Sequence, residues 1–378
     1  MKCRLSRSSR MSSFLIALCF LSDGHRAAGM TEPLQQTIDR IVSKHILIRI
    51  PQEREWLGRE TIMELERYYL FIDRTTGGKL PARVLVSISW DERESGIRHG
   101  EGSITVGMNN PAAAADSRGY LLHNAAKEIA RLALLELSKG GAGSAENRFL
   151  LEGMTEILAS EYEQASRSLG AAWVRCHFMD RIEPLSLSTL ASWDRFSNGR
   201  QDQRAASPGI TFLLTCREMS NRESLLKLFE NMRNRSLPES LAEVFKSAAA
   251  ALESRWLERI RAYQVAEDLT VSSDEDAPKL ERTAFDPEAG VPGEELRIRV
   301  FIRDRSNDLF AGTVFFEERE SRGVLSAQAP REAAAKYLQF RLPVAQDRKS
   351  GRYDYRLIAV DEAGNVRIWP GAYPVLSR

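Results

Sequence analysis

Hydrophobic residues recur at helical spacing through much of residues 31–270 of this chain. The first such run covers residues 31–73, where apolar positions such as Leu57, Ile62, Leu65 and Tyr69 have approximately helical spacing and predict a helix. Two short runs of alternating apolar and polar residues follow at 82–90 and 102–111, and a period of two predicts strands. Helical spacing then returns and continues to about residue 264. The pattern predicts a mostly helical body with a small antiparallel sheet near its start.

The C-terminal part of the chain has a different pattern. A polar, acidic and proline-containing stretch at 271–285 is typical of a linker. Beyond it, LRIRVFIRD (296–304) and several later runs alternate between apolar and polar residues, which predicts an all-β sandwich over 286–378. Its last hairpin, GRYDYRLIAVDEAGNVRIW (351–369), resembles those of bacterial immunoglobulin-like modules. The predicted fold class is therefore multidomain α+β.

Residues 1–29 have the layout of a secretory signal peptide. A segment with four basic residues precedes an apolar run at 11–22, and small residues follow at Ala27, Ala28 and Gly29. The apolar run is too short to span a membrane, and no span is expected beyond it. A buried helix, or a start of translation at Met11, is the alternative. We predict an exported protein, located in the periplasm or outside the cell.

Composition excludes some classes of protein and leaves one question open. Apolar residues make up 43% of the 378 positions and charged residues 28%, which is typical of a globular protein. The net charge is +1, so no overall electrostatic attraction to nucleic acid is expected. Removal of a signal peptide leaves Cys176 and Cys216, which can form a disulfide or remain free buried thiols.

Candidate chemistry is concentrated in the predicted helix LLHNAAKEIARLAL (121–134). Its segment KEIAR has the spacing of the zinc-protease motif HExxH, in which two histidines four residues apart bind one metal ion. Lys127 and Arg131 stand at the two histidine positions, and Glu128 stands where the motif has its general base. Downstream, FLLEGMTEILASEY (149–162) places Glu152 where a third ligand would come from.

These residues and their order resemble the peptidase MA-like, or gluzincin, family of metallopeptidases. The resemblance covers about residues 31–264, within a predicted domain at 31–270, and it implies a zincin-like fold and a zinc cofactor. Lys127 and Arg131 depart from the family pattern, because a guanidinium does not ligate metal and an ammonium does so only when deprotonated. We therefore expect no metal and no other cofactor, and we regard Glu128 as a vestigial base.

Two readings of the helix remain open at this stage. In the first, Lys127 and Arg131 face Glu152, with Glu128 as a further partner, so that two fixed cations compensate the carboxylates in place of a metal ion. In the second, KEIAR is the solvated face of an ordinary amphipathic helix.

The first reading implies an inactive pseudopeptidase that binds a peptide or protein, or that acts as a scaffold in the cell envelope. The strand with Ile104, Val106 and Met108 corresponds to the edge strand along which gluzincins hold an extended peptide. One alternative is an active metallopeptidase with a non-standard site, in which Glu128 is the base and Glu152 and a distant histidine are ligands. A purely structural envelope component is the other alternative.

Overall fold

The computed structural model describes most of the chain after residue 37. The predicted signal peptide lies outside the described residues, and so does the first half of the predicted linker. Thr37–Arg378 forms one compact unit. Within the described part of the chain, no helix has the length and apolar character needed to cross a membrane. The described residues are 38–90, 97–100, 102–109, 113–114, 116–163, 167–191, 203–265, 278–303, 313–320, 323–328, 337–360 and 366–376.

A five-stranded sheet forms the beginning of this unit, and its strand order is β1-β2-β3-β5-β4. The two outer pairs, β1 with β2 and β4 with β5, are antiparallel, whereas β3 is parallel to both of its neighbours. The prediction of a small antiparallel sheet is therefore wrong. A helix connects β2 to β3, and such a crossover makes the joined strands parallel. The strands are β1 (Ile38–Val42), β2 (Ile46–Pro51), β3 (Val84–Ser89), β4 (Ile97–Gly100) and β5 (Ser103–Gly107).

The predicted helix at 31–73 is wrong over residues 38–51, where the chain forms the β1–β2 hairpin, and its residues 31–37 lie outside the described part of the chain. Ile46, Ile48 and Ile50 alternate with less buried residues and are themselves completely buried. β-branched residues at a period of two pack well on a sheet, and this alternation outweighs the approximate helical spacing. The helix begins only at Glu55.

Helices make up the rest of the body, as the sequence predicts. The first two long helices, α1 and α2, pack against each other and against the sheet, and α3 packs between α2 and α6. The helices are α1 (Glu55–Thr75), α2 (Ser117–Leu137), α3 (Arg148–Glu163), α4 (Arg167–Ile182), α5 (Leu187–Leu190), α6 (Gln203–Glu218), α7 (Arg222–Asn231), α8 (Leu237–Phe245) and α9 (Ala249–Ala262).

The contact between α3 and α6 depends on two glycines. A Cβ on Gly153 would lie 2.4 Å from the carbonyl carbon of Gly209, and a Cβ on Gly209 would lie 1.9 Å from the carbonyl oxygen of Phe149. The two backbones thus approach too closely for any side chain at the crossing. Gly153 is the glycine of the EGMTE segment (152–156), so this segment fixes the position of α3 through its packing against α6.

Two sheets form the C-terminal module, with strand orders β10-β7-β6 and β12-β11-β8-β9. Their facing side chains share one apolar core, while an immunoglobulin-like identity stays a prediction. The predicted linker at 271–285 is wrong in its second half, because β6 begins at Lys279 and pairs with β7. The strands are β6 (Lys279–Asp286), β7 (Glu295–Arg303), β8 (Thr313–Glu318), β9 (Val324–Gln328), β10 (Leu338–Pro343), β11 (Gly351–Val360) and β12 (Val366–Val375).

Strand β8 belongs to two cores at once. Phe316 lies in the sandwich core, whereas its neighbour Phe315 points the other way and stacks on Phe178 of α4 at a ring-centroid distance of 5.1 Å. Beside this stack, Glu317 forms ion pairs with Arg181 of α4 and Arg356 of β11. The module is therefore packed against the helical body through a mixed apolar and ionic interface.

The glycine crossing yields a stability prediction. Gly153→Ala should lower the free energy of unfolding by about 2 kcal/mol or more, because its methyl group cannot be accommodated between two backbones. Chemical denaturation followed by circular dichroism measures this loss.

Gly170→Ala is the matched control, since Gly170 also lies in a helix but a Cβ there meets no atom within 4 Å. It should leave the protein unchanged or stabilise it by about 0.5–1 kcal/mol, the helix-propensity difference between the two residues. Equal stability of the two variants would contradict the close crossing.

Candidate functional site

The site is built on α2 and α3, which run antiparallel to each other. Helix α2 starts at its N-cap Asp116, whose Oδ1 accepts a hydrogen bond of 2.8 Å from the backbone N–H of Gly119. Its buried face carries apolar residues such as Ala125 and Ile129, and also the charged residues Glu128 and Arg131. Charged side chains on the buried face of a helix require partners from a neighbouring element.

Arg131 is the centre of the site. Its Nη1 and Nη2 donate to the two carboxylate oxygens of Glu152 at 2.5 and 2.6 Å, and its Nε donates to Glu128 at 3.0 Å. The three residues are 4%, 7% and 3% exposed, respectively. A planar guanidinium with a bidentate carboxylate partner is the strongest ion-pair geometry available to side chains. The prediction that Arg131 faces Glu152 and Glu128 agrees with this arrangement.

Lys127 has a different partner from the predicted one. Its Nζ lies 2.8 Å from Oε2 of Glu156, so the expectation that Lys127 faces Glu152 is wrong. The reason is the helical repeat: Lys127 and Arg131 are one turn apart on α2, and Glu156 and Glu152 are one turn apart on α3. Two antiparallel helices align these turns side by side, which gives each cation its own carboxylate. We refer to Lys127, Glu128, Arg131, Glu152 and Glu156 as the ion-pair cluster.

Burial and charge act in opposite directions on the pKa values of the cluster. Burial by itself would raise the pKa of Glu156, but the nearby charges of Lys127, His123 and Arg175 outweigh it and lower the pKa to about 2. Burial would likewise lower the pKa of Arg131, and the hydrogen bond and charge of Glu152 raise it instead. Burial would also lower the pKa of Lys127, and Glu156 raises it. The ionised forms of Glu156, Arg131 and Lys127 are therefore stabilised at neutral pH.

His123 and Arg148 extend the cluster at its margins. The Nε2 of His123 lies 3.6 Å from Glu156 Oε1, and the Nε of Arg148 lies 3.8 Å from Glu152 Oε1. The alternative in which KEIAR is a solvated helix face is wrong, because its charged residues and their carboxylate partners are largely buried.

The cluster does not fit a zinc ion. A zinc site needs three or four deprotonated donors, whereas here a guanidinium lies between Glu128 and Glu152 and uses the oxygens that would bind metal. Within the described ranges, no group of three or more His, Cys, Asp or Glu side chains is placed to hold a metal ion. The donor set thus supports no catalytic step through a metal.

The other histidines with described side chains have structural partners. Nδ1 of His45 lies 2.5 Å from Glu66, and its ring stacks on Tyr69. Nδ1 of His177 lies 3.0 Å from the carbonyl oxygen of Ile260. Neither of these contacts brings a histidine to Glu128 or Glu152.

The predicted peptide-binding strand is not at the edge of the sheet. Ile104 and Val106 are completely buried and Met108 is 3% exposed. Their strand, β5, lies between β3 and β4. The prediction of an edge strand at these residues is therefore wrong, because the short strand β4 pairs along the side that was expected to be free. The edge of the described sheet on this side is β4.

Cys176 and Cys216 are both free, buried thiols, which excludes a disulfide between them. Burial raises the pKa of Cys176 and of Cys216 to about 12. Such thiols are almost fully protonated at neutral pH and are poor nucleophiles.

Sequence reasoning missed Glu156. Its signal was present, because Glu152 and Glu156 have the same four-residue spacing as Lys127 and Arg131. Two cations and two carboxylates with matched helical spacing indicate two parallel ion pairs once the helices are known to be antiparallel neighbours.

Comparisons with known proteins give only distant similarities. No protein-family model matches the chain, and no curated protein matches it. Among solved structures, the ZmpB metallopeptidase from Clostridium perfringens is 12% identical, with 89% of this chain and 69% of that chain covered and a TM-score of 0.33. The M60 catalytic domain of ZmpC from Clostridium perfringens, solved in complex with the sialyl T antigen, is 11% identical, with coverages of 90% and 69% and a TM-score of 0.33. Similarity at this level assigns neither a family nor an activity to the chain.

The buried pair Arg131–Glu152 yields a second stability prediction. Glu152→Gln should destabilise the protein by about 3 kcal/mol, because it leaves the Arg131 charge incompletely compensated in the interior. Adding Arg131→Met in the same chain should recover much of this loss, since the unpaired charge is then removed. Urea denaturation of the single and double variants measures both effects.

Glu55→Gln is the control, because the Glu55–Arg59 pair is an ion pair between more exposed side chains on α1. This substitution should cost about 0.5 kcal/mol or less. A Glu152→Gln variant as stable as the control variant would contradict a structural role for the cluster.

Proposed function

We propose that this chain is an exported, catalytically inactive metallopeptidase-like protein that acts by binding a peptide or protein. The observation that carries the proposal is the bidentate contact of Arg131 with Glu152. Arg131 and Lys127 are two fixed positive charges at the positions where the gluzincin motif has its two metal-binding histidines. Arg131 is shared by Glu128 and Glu152, and Lys127 pairs with Glu156, so each of the three carboxylates has a cationic partner and the fold needs no Lewis acid at this place.

The alternative of an active enzyme with a non-standard metal site has little support from the geometry. It requires Glu128 as base and Glu152 as ligand, and Arg131 donates hydrogen bonds to both. A metal ion would have to displace a buried guanidinium that is bonded to three carboxylate oxygens. The nearest imidazole contact in the cluster is that of His123 with Glu156, on the other pair.

A binding role needs a surface for an extended peptide, and β4 offers one. This strand is outermost in the described sheet and pairs on one side only, with β5. An outer strand has unpaired backbone groups that a peptide can join as an additional strand. Export of the protein rests on the N-terminal sequence pattern alone.

Placing histidines at the two motif positions tests whether the chain has an inactive metallopeptidase-like site. Wild-type protein purified without chelators should contain no stoichiometric zinc and should not hydrolyse peptides. Lys127→His/Arg131→His should bind about one zinc ion per chain, because it recreates two imidazoles on one helix face opposite Glu152. Elemental analysis by mass spectrometry and a zinc-dependent rise in melting temperature measure the binding.

The control is the same double variant with Glu152→Gln, which lacks the third ligand and should bind zinc at least tenfold more weakly. Stoichiometric zinc in the wild type would overturn the inactive reading. A folded histidine variant that binds no zinc would overturn the correspondence with the gluzincin site.

A pair of proline variants tests the role of β4. Successive backbone N–H groups of a strand point to opposite sides, so Arg98→Pro and His99→Pro remove one outward donor and one donor directed at β5. The variant that loses the outward donor should keep its melting temperature and lose capture of extended peptides on a random-sequence peptide array. The other variant should melt at a lower temperature.

Two outcomes would count against peptide binding at β4. One is full peptide capture by the proline variant that keeps its stability. The other is a wild-type protein that captures no peptide on the array.

A further inference from the structure

The outward face of the β10-β7-β6 sheet is a second candidate binding surface, far in sequence from the ion-pair cluster. Along β7, Leu296, Ile298 and Val300 are completely buried in the sandwich core. Strand geometry places the alternate residues on the opposite face. Three of the five residues on that face of β7 are arginines, namely Arg297, Arg299 and Arg303.

The strand register extends this face to the neighbouring strands. Residues directly opposite each other across a pair project to the same side of the sheet, so partners of the outward β7 residues also point outward. The outward cations are Lys279, Arg282, Arg297, Arg299, Arg303 and Arg341, and the outward carboxylates in the same rows are Asp286 and Glu295. Glu281 lies at the bulge in β6, outside these rows. The rows thus carry six positive and two negative charges, although the whole chain is nearly neutral.

Among the described residues of these rows, the two carboxylates leave much of the positive charge uncompensated. Asp286 pairs with Arg299 at 3.2 Å, and Glu295 lies 3.8 Å from Arg297 and 3.7 Å from Arg341. These pairs are 40–68% exposed on the arginine side. Such pairs are weak, so the arginines can exchange their partners for a ligand at low cost.

Aromatic rings hold two of the guanidinium groups in place. Arg282 lies over the ring of Phe301 at 4.1 Å from its centroid, and Arg299 lies 5.6 Å from the ring centroid of Tyr337. The two rings also contact each other, at a centroid distance of 5.4 Å. Cation–π contacts of this kind restrict long side chains and reduce the entropy lost when they bind a ligand.

Guanidinium groups recur at regular intervals in the direction of β7, three from β7 itself and one from β6. Arg297, Arg299 and Arg303 occupy three alternate positions, and at the position of Phe301 the cross-strand partner Arg282 supplies the guanidinium. Four successive rows therefore each present a guanidinium, at intervals of about 6.8 Å, two residues along a strand. An extended peptide repeats its side chains on one face at the same interval.

We propose that this face binds an extended acidic segment of a partner protein, with Asp or Glu at alternate positions. Each carboxylate of such a segment meets one guanidinium row, and a guanidinium fork matches a carboxylate in geometry. Nucleobases fit the surface less well, because Arg282 covers a face of Phe301 on which a base would stack. The site is independent of β4 and of the ion-pair cluster.

The test uses the full-length protein and a labelled peptide of about eight residues that alternates Asp and Ser, long enough to span four rows. Fluorescence anisotropy at low and at physiological salt should show binding that weakens as salt rises. Arg282→Gln/Arg303→Gln should weaken binding about tenfold, since it removes two of the four rows. Neither residue forms an ion pair with any described residue, and the contact of the exposed Arg282 with the Phe301 ring is weak, so the variant should stay folded with at most a small fall in melting temperature.

Arg233→Gln/Arg352→Gln is the matched control, because it makes the same change in net charge at two exposed arginines elsewhere on the molecule. This control should bind the alternating peptide like the wild type. Equal loss of binding in the two double variants, or none in either, would overturn the proposed site.

Three further probes test the class of ligand. A peptide of the same composition, with its Asp residues in one block, should bind more weakly, and equal binding would overturn the spacing argument. Oligothymidylate and a sulfated glycan fragment of matched charge should also bind more weakly. Tighter binding of either one than of the alternating peptide would assign the face to a different ligand class and overturn the proposal.

Discussion

The cost of burying charge is the constraint on which the helical body depends. Arg131 lies in the interior, and an unpaired guanidinium there would destabilise the fold by several kcal/mol. Its contacts with Glu128 and Glu152 remove that cost only if α2 and α3 keep their antiparallel register. The same register brings Lys127 to Glu156. The close contact of Gly153 with Gly209 then holds α3 against α6 from its other side. Charge pairing and backbone packing thus fix the same helix.

Under the proposed function, Lys127 and Arg131 take the place that a metal ion has in a gluzincin site. A zinc ion carries two positive charges, and Lys127 and Arg131 together also carry two. Unlike a metal ion, the two side chains offer no open coordination position, which metal catalysis needs. Under the proposed function, the helical body therefore contributes a stable shape and a sheet edge for binding, and not a catalytic group. An inactive body of this kind would serve as a platform for recognition.

The C-terminal module is coupled to the body on one sheet and carries charge on the other. Phe315 and Glu317 of β8 contact α4 through stacking and ion pairs, so the β12-β11-β8-β9 sheet is part of the interface. Arginines are concentrated on the outward face of the β10-β7-β6 sheet. Because β8 takes part in both cores, the sandwich is held at a defined position on the body, and this would give the arginine-rich face a fixed position relative to the body.

Local sequence determined most of the helices from α2 onward, the strands β7, β8, β10, β11 and β12 and the position of the cluster on α2, because each depends on periodicity within one segment. The same reasoning read 31–73 as a helix, since apolar spacing in Ile46–Ile50 is compatible with either period until a partner strand is known. The order of the first sheet, the inner position of β5 and the partner of Lys127 were decided by tertiary structure. They depend on which segments become neighbours, and one segment's pattern contains no such information. KEIAR alone shows only that the histidines are absent, whereas the packing of α3 against α2 shows what compensates its charges.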